Sequence, residues 1–102
     1  MFVVIRGFKI EKGHLDKYVE NFKKDSPVMG SPGFLKKELF IQTKNKEYDI
    51  VNTYIYFVDK EAYDVWHNSE EHKKGHKTRK EKPAEIISFT RESFEVISGW
   101  LN

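Results

Sequence analysis

The sequence predicts an α+β protein with the ferredoxin-like element order βαββαβ and an antiparallel sheet. Four segments rich in β-branched and aromatic residues predict strands: residues 2–10, 34–43, 49–57 and 86–97. Amphipathic segments separate the first strand from the second and the third from the fourth. A chain of 102 residues, 38% of them hydrophobic, is long enough for one domain, residues 1–102, around a single core.

A stripe of apolar residues predicts the first helix. After Gly13 ends the first strand, apolar side chains recur at i, i+3, i+4 and i+7: Leu15, Tyr18, Val19 and Phe22. Prolines and glycines between residues 26 and 33 end this helix and predict a turn-rich connection. In the second strand one face is expected to carry Leu35, Leu39 and Ile41, and the polar residues 44–47 then predict a hairpin-like loop.

The second helical region is predicted as two helices with a break between them. Asp59 is a suitable N-cap for a first helix that carries Tyr63 and Trp66. Residues 68–69 interrupt the apolar pattern, and Ser69 would cap a second helix with two glutamates in its first turn, where the helix dipole favours negative charge. Pro83 ends that second helix before the last strand.

Apolar residues on both faces of the predicted sheet indicate a partner. In the third strand Val51, Ile55 and Phe57 alternate with Tyr54 and Tyr56, so neither face is clearly polar. Helices in this fold cover one face only, and an exposed apolar sheet favours association of two copies. We therefore expect a homodimer in which two sheets pack together as a dimeric α/β barrel. The alternative is that the tyrosines of the uncovered face are simply solvated.

Composition excludes several classes of protein. The net charge of +2 is too small to indicate nucleic-acid binding, and the basic run is local, so no nucleic-acid partner is expected. The absence of cysteine removes disulfides and thiolate chemistry. The apolar run at residues 2–5 is too short for a signal peptide or a membrane span. We expect a cytoplasmic protein that has no membrane partner.

Residues 66–76 carry the strongest chemical signal. They include Trp66, which offers a large flat apolar surface, and three of the four histidines of the chain. The most basic run of the sequence overlaps them and would suit the carboxylates of an anionic ligand. A flat, metal-bearing dicarboxylate fits this description, which points to haem. The alternatives are a core tryptophan and an ordinary solvated helix, and composition alone favours the second for the histidines.

Two histidines in this stretch are candidate iron ligands. His72 and His76 are four residues apart and would project from the same side of a helix. The segment is not H-E-x-x-H and has no evident third ligand, which disfavours a closed protein metal site. A single axial histidine on haem iron needs no such cluster. His76 is the better candidate because Gly75 before it would let a planar ligand approach the backbone.

The chain resembles the IsdG-like haem-degrading monooxygenases of the antibiotic-biosynthesis-monooxygenase superfamily over nearly its whole length. The resemblance lies in residues 1–10, the Ser-Pro-Gly-Phe stretch at 31–34 and the pattern Trp-x-x-Ser…His-Lys that runs from Trp66 to Lys77. It implies that His76 is the axial ligand of haem iron, that Trp66 distorts the macrocycle, and that Gly75 and Lys77 contribute to haem binding. Haem would be both cofactor and substrate, opened oxidatively with O2 and an external reductant, which requires an electron donor.

The first strand departs from the pattern of this family. Its best-known members place an asparagine there, above the haem, whereas this chain has Arg6 at or next to that position. An arginine can donate to a distal oxygen ligand, or it can pair with a propionate or a neighbouring carboxylate, but it cannot accept a hydrogen bond as an amide does. Arg6 is therefore expected to be catalytic. The departure keeps open a non-enzymatic haem-binding protein. A further alternative is a cofactor-free small-molecule monooxygenase of the same superfamily.

Overall fold

The computed structural model describes residues 1–78 and 83–99, and the side chains of residues 75–78 lie outside this description. Four strands and three α-helices follow one another in the predicted order. Their bounds are β1 Phe2–Glu11, α1 Leu15–Lys23, β2 Phe34–Gln42, β3 Tyr48–Phe57, α2 Lys60–His67, α3 Glu70–Thr78 and β4 Ile86–Glu95, with a 3₁₀ turn at Pro27–Gly30. The ferredoxin-like α+β prediction is confirmed.

The four strands form one antiparallel sheet in the order β2-β3-β1-β4. Residues that lie directly opposite each other on antiparallel strands share a face, so the register fixes which side chains face the helices. Val4 lies opposite Ile55 of β3 and Ser93 of β4. The even-numbered residues of β1 face the helices, and the odd-numbered residues face away from them.

The best-packed part of the core lies beneath α2. Phe2, Val4, Val28 and Phe57 form a buried cluster, and Ala62, Tyr63 and Trp66 of α2 pack against it. Each fully buried side chain of this size contributes roughly 1.5–3 kcal/mol through the hydrophobic effect. Gly33 takes a positive φ of 84° between the 3₁₀ turn and β2, and a Cβ at that position would lie 2.5 Å from the Cβ of Ala62. Glycine is therefore required where this turn closes on α2.

The predicted break between α2 and α3 is present, and side-chain caps define it. The Asp59 carboxylate accepts a hydrogen bond from the Ala62 amide (2.8 Å) at the start of α2. Ser69 Oγ donates to the Trp66 carbonyl (2.6 Å) and accepts from the His72 amide (3.2 Å). One hydroxyl thus caps the end of α2 and the start of α3, which redirects the chain within three residues.

Some segment ends differ from the sequence-based prediction. The last strand ends at Glu95, two residues before the predicted end. In β2 the register shifts between Phe34, which lies opposite Phe57, and Lys36, which lies opposite Tyr56. One extra residue, Leu35, is therefore inserted as a β-bulge. Periodicity alone does not reveal a bulge, because a bulge interrupts the alternation on which the prediction depends.

The sheet face opposite the helices is rich in aromatic residues. The ring centroids of Phe40 and Tyr54 lie 4.7 Å apart, and Phe94 is 50% exposed beside the buried Val3. On the same face, burial and then the neighbouring Glu38 raise the pKa of Tyr56 to about 12. We call this surface the open face. Among the residues that the structure describes, no helix is long and apolar enough to cross a membrane.

Candidate functional site

A cavity of about 450 Å³ lies between the sheet and the helices. Strands β1, β3 and β4 form its floor through Val4 and Arg6, Thr53 and Ile55, and Phe89 and Arg91. The walls come from α2, α3 and the connection after α1, and include Trp66, His72 and Val28. This volume lies within the range of about 300–1,000 Å³ that is usual for small-molecule sites.

Trp66 occupies the position that the sequence predicts for a cofactor wall, and it also packs against the core. Its ring contacts the buried cluster of Phe2, Val4 and Phe57 on one side and lines the cavity on the other. The ring of His72 meets it edge-on, with centroids 5.4 Å apart. The alternatives of core residue and cavity wall are therefore not exclusive, because a large side chain has room for both contacts.

The break at Ser69 brings residues from two helices to one cavity. Trp66 lies in the last turn of α2 and His72 in the first turn of α3, and both line the same space. Position 76 lies four residues further along α3, which extends to Thr78. The side chains of His76 and Lys77, and the surroundings of Gly75, fall outside the described part of the structure, so their predicted roles stay predictions.

Arg6 lines the floor of the cavity as part of an arginine pair. It lies directly opposite Arg91 of β4 and opposite Thr53 of β3. The guanidinium carbon of Arg6 is 5.7 Å from the ring centroid of Phe8 and 5.9 Å from that of Phe89. Such stacking orients a guanidinium. Arg6 thus lines the cavity, and its predicted catalytic role stays a prediction.

Arg91 and Tyr63 also line the cavity, although the sequence did not identify them as site residues. Arg91 donates a hydrogen bond to the Tyr63 hydroxyl, and its Nη2 lies 3.4 Å from His67 Nδ1. The Tyr63 ring contacts the rings of Phe2 and Phe57, each at a centroid distance of 5.5 Å. The core therefore fixes the hydroxyl that holds Arg91. Strand alternation places Arg91 on the same face as Phe89, and this was the only signal in the sequence.

Positive charge predominates among the described residues that line the cavity. Three are permanently cationic, Arg6, Lys37 and Arg91, and one is acidic, Glu71. Lys37 donates to the carbonyls of Phe22 (2.7 Å) and Lys24 (3.1 Å), near the end of α1. That contact uses lysine to neutralise a helix C-terminus. The other two basic residues, the arginines, lie on the floor of the cavity.

The described residues do not form a metal site by themselves. The rings of His67 and His72 lie 5.0 Å apart, but no group of three or more His, Cys, Asp or Glu side chains within residues 1–74 and 83–99 could hold an ion. In this part of the chain the cavity offers a flat aromatic wall, an apolar lining and cations. These features suit a planar organic anion better than a bare metal ion.

A known relative has a similar sequence. A protein of Shouchella clausii named heme-degrading monooxygenase is 29% identical over 96 residues, which cover 94% of this chain and 90% of the relative. The identity extends over nearly the whole of both proteins. The similarity is therefore not confined to one short segment.

Solved structures share the fold at lower identity. An antibiotic biosynthesis monooxygenase-type protein of Bacillus cereus has a TM-score of 0.86 at 23% identity, over 99% of this chain and 97% of its own. MhuD of Mycobacterium tuberculosis, a heme degrader solved with two hemes in its active site, has a TM-score of 0.68 at 21% identity, over 98% and 99%. SnoaB of Streptomyces nogalater, a cofactor-independent oxygenase, has a TM-score of 0.63 at 11% identity, over 96% and 95%.

The sequence pattern of the family described as antibiotic biosynthesis monooxygenase matches residues 1–78 of this chain. The match extends from β1 to the end of α3 and so includes three strands and all three helices. It also includes Arg6 and Trp66, which line the cavity. The chain belongs to the antibiotic biosynthesis monooxygenase family.

Proposed function

We propose that this protein is a haem-degrading monooxygenase, which binds haem in the cavity between the sheet and the helices. The observation that carries the proposal is the position of Trp66, which forms an aromatic wall above a floor that carries two arginines. The similarity to the heme-degrading monooxygenase of Shouchella clausii supports it.

The described residues fit haem in shape and in charge. The aromatic rings of Phe57, Trp66 and Phe89 border the cavity and suit a large apolar macrocycle. Arg6 and Arg91 suit its propionates or another anionic group on the ligand. The described residues therefore suit both the apolar macrocycle of haem and its negatively charged propionates.

We propose that His76 would ligate the iron of haem and that Gly75 and Lys77 would contribute to haem binding. His72 lines the cavity one helical turn before position 76 on the same helix α3, which supports an approach to the ligand from that side. When bound, haem would supply both the iron that activates O2 and the ring that is opened. An external reductant would supply the electrons.

The protein itself orients and shields the ligand in this proposal. Trp66 is held by the core on one side and by the His72 ring on the other, so its indole would press on the bound ring rather than yield to it. Val4 and Ile55 make part of the floor apolar and keep water from it. Arg6 would donate a hydrogen bond to an anionic group that faces the floor.

We also propose that two copies of the chain associate through the open face. Phe40 and Phe94 are each 50% exposed on this face, and Tyr54 and Tyr56 lie between them in the sheet. Burial of these rings against a second copy would remove a large aromatic surface from water. Light scattering after size-exclusion chromatography should give a dimer for the wild type and a monomer for Phe94→Lys. A wild-type monomer would overturn the proposal.

An anaerobic haem titration tests the principal proposal. Purified protein is titrated with haem without oxygen, and then ascorbate and air are added in the presence of catalase, which removes free peroxide. We expect a saturable Soret shift at one haem per chain, followed by Soret decay and release of chelatable iron. Saturable binding without decay under several reductants would favour a haem-binding protein that does not turn haem over.

Two histidine variants give the titration a matched control. His76→Ala should abolish or strongly shift the Soret band of the complex if His76 is the ligand. His14→Ala removes an imidazole that precedes α1, away from the described cavity residues, and should leave the band unchanged. An unchanged band in His76→Ala would overturn the ligand assignment, and loss of the band in His72→Ala alone would transfer it to His72.

The second candidate function is a cofactor-free monooxygenase that acts on a small aromatic molecule. The observation that favours it is the structural similarity to SnoaB, which is a cofactor-independent oxygenase on the same fold. The titration separates the two candidates, because an absence of specific haem binding favours the cofactor-free reaction. His76→Ala would then have no haem affinity to change.

A further inference from the structure

Two arginines occupy neighbouring positions on the cavity floor. Arg6 and Arg91 lie directly opposite each other on β1 and β4, and both line the cavity. Like charges at directly opposed positions destabilise an antiparallel pair of strands. Both arginines also line the cavity, where a negatively charged ligand could contact them.

Neutral groups hold Arg91 in place. Its described contacts are the Tyr63 hydroxyl, to which it donates, the ring of Tyr63 at 5.9 Å and His67 Nδ1 at 3.4 Å. None of these groups is a carboxylate. These described contacts therefore fix the direction of the guanidinium through neutral groups, and a guanidinium fixed in this way is preorganised for an incoming anion.

The shape of the cavity limits which anion the arginines receive. Phe89 lies beside both arginines on the floor, and Trp66 forms a wall of the same cavity. A ligand that fills this space must be largely flat and apolar, with its negative charge at one end. Planar guanidinium groups match a carboxylate through two parallel hydrogen bonds.

We propose that Arg6 and Arg91 form a carboxylate-binding site on the cavity floor, and that Tyr63 is the positioning residue for Arg91. The ligand class is a planar aromatic molecule that carries a carboxylate. Such a carboxylate has two possible sources, a porphyrin propionate or a smaller aromatic acid. The first source rests on the proposed haem function, whereas the second does not.

Two matched pairs of iron-free probes test this site by fluorescence titration. Protoporphyrin IX is compared with its dimethyl ester, and 2-naphthoate with 2-naphthamide. Each pair keeps the ring and changes the charge, and neither pair offers iron to His76. For the wild type, the acid that this site accepts should bind about tenfold more tightly than its neutral partner, as expected for hydrogen bonds between charged groups.

The variants assign this discrimination to particular residues. Arg6→Gln and Arg91→Gln should each bring the acid and its neutral partner to within about twofold of each other, because the charged donor is lost. The discrimination shown by Arg91→Lys should lie between that of the wild type and that of Arg91→Gln. Lysine keeps the positive charge but lacks the planar guanidinium with its paired donors. Tyr63→Phe keeps the ring packing and should reduce the discrimination about threefold through Arg91 alone. Lys60→Gln, which removes a cation from the exposed surface of α2, should behave as the wild type.

The outcomes distinguish the site from the proposed function. Equal affinity for acid and neutral probes in the wild type would overturn the carboxylate site and leave haem binding untouched. Equal weakening of both members of a pair in Arg91→Gln would also overturn it. Discrimination within the naphthalene pair, with no binding of either porphyrin, would support the site and contradict the haem function.

Discussion

Two clusters of cations and tyrosines lie between the sheet and its helices, and they differ in the partners that their described side chains contact. In the first, Lys17 and Tyr18 of α1 both donate to the carboxylate of Glu85, which is 7% exposed. In the second, Arg91 donates to Tyr63 and lies opposite Arg6, beside the cavity. We call these the acid-paired cluster and the arginine cluster.

In the acid-paired cluster, the contacts among Lys17, Tyr18 and Glu85, together with burial, shift the pKa values of Tyr18 and Glu85. The hydrogen bond from Lys17 is the main cause that lowers the pKa of Glu85, and burial together with Glu85 raises the pKa of Tyr18 to about 12. Glu85 also anchors the chain before β4, because its carbonyl accepts from the Glu11 amide at 2.9 Å. The acid-paired cluster therefore holds α1 and the start of β4 together, whereas the arginines of the second cluster line the cavity.

The largest effect is expected when the acid-paired cluster loses its cation. Lys17→Met leaves the Glu85 carboxylate buried with the Tyr18 hydroxyl as its remaining described side-chain partner, and an unpaired buried carboxylate is strongly unfavourable. We expect the melting temperature at neutral pH to fall by several degrees. Arg91→Met in the arginine cluster should cause no comparable fall. Circular-dichroism melts measure both variants. An equal fall in melting temperature for Lys17→Met and Arg91→Met would contradict the distinction between the clusters.

The next effect concerns the rate of haem degradation rather than stability. Trp66→Phe keeps an aromatic wall but removes bulk above the bound ring, so haem should bind with an affinity within about threefold of wild type. Degradation should slow on the order of tenfold, which corresponds to about 1.4 kcal/mol in the barrier. Single-turnover decay of the Soret band measures this rate. A wild-type rate in this variant would contradict the proposed distortion by Trp66.

A smaller effect is expected from pH in the acid-paired cluster. Because Lys17 lowers the pKa of Glu85 in the folded protein, the ionised carboxylate stabilises the fold above its ordinary pKa of 4.5. This stabilisation is lost as the pH falls below 4.5 towards the lowered value. The melting temperature of the wild type should exceed that of Glu85→Gln at about pH 7, and the gap should narrow below the ordinary pKa. A gap that stays constant from neutral to acidic pH would refute this linkage.

The sequence predicted the helices and strands that carry the two clusters, but it did not predict the contacts within the clusters. The stripe through Tyr18 predicted α1, and the apolar alternation predicted the four strands, because local periodicity determines both kinds of element. The partners Lys17 and Glu85 lie 68 residues apart, and no local pattern joins them. The pairing of Arg6 with Arg91 depends likewise on the register between the first and last strands.

Resemblance to a family supplied what periodicity could not. It singled out Arg6 and Trp66, which the structure brings to one cavity, and His76, whose role stays a prediction. Arg91 was not singled out, because the Trp-to-His pattern that carries the resemblance ends before the last strand. Tyr63 was recognised only as part of an apolar helical stripe, since its second contact, with Arg91, is formed only in the folded chain.

The smallest effect should appear in the ligand-free arginine cluster. Arg91→Gln removes the repulsion from Arg6 but keeps a donor for Tyr63, so the free energy of unfolding should stay equal or rise by up to about 0.5 kcal/mol. Salt gives the matched control, because at 1 M the Debye length is about 3 Å and the repulsion is largely screened in the wild type as well. Urea titrations measure the free energy of unfolding at low and high salt. Any increase for Arg91→Gln over the wild type should become smaller as salt is added. A loss of more than about 1 kcal/mol at either salt concentration would mean that Arg91 stabilises the fold as Lys17 does, and the arginine cluster would then be structural.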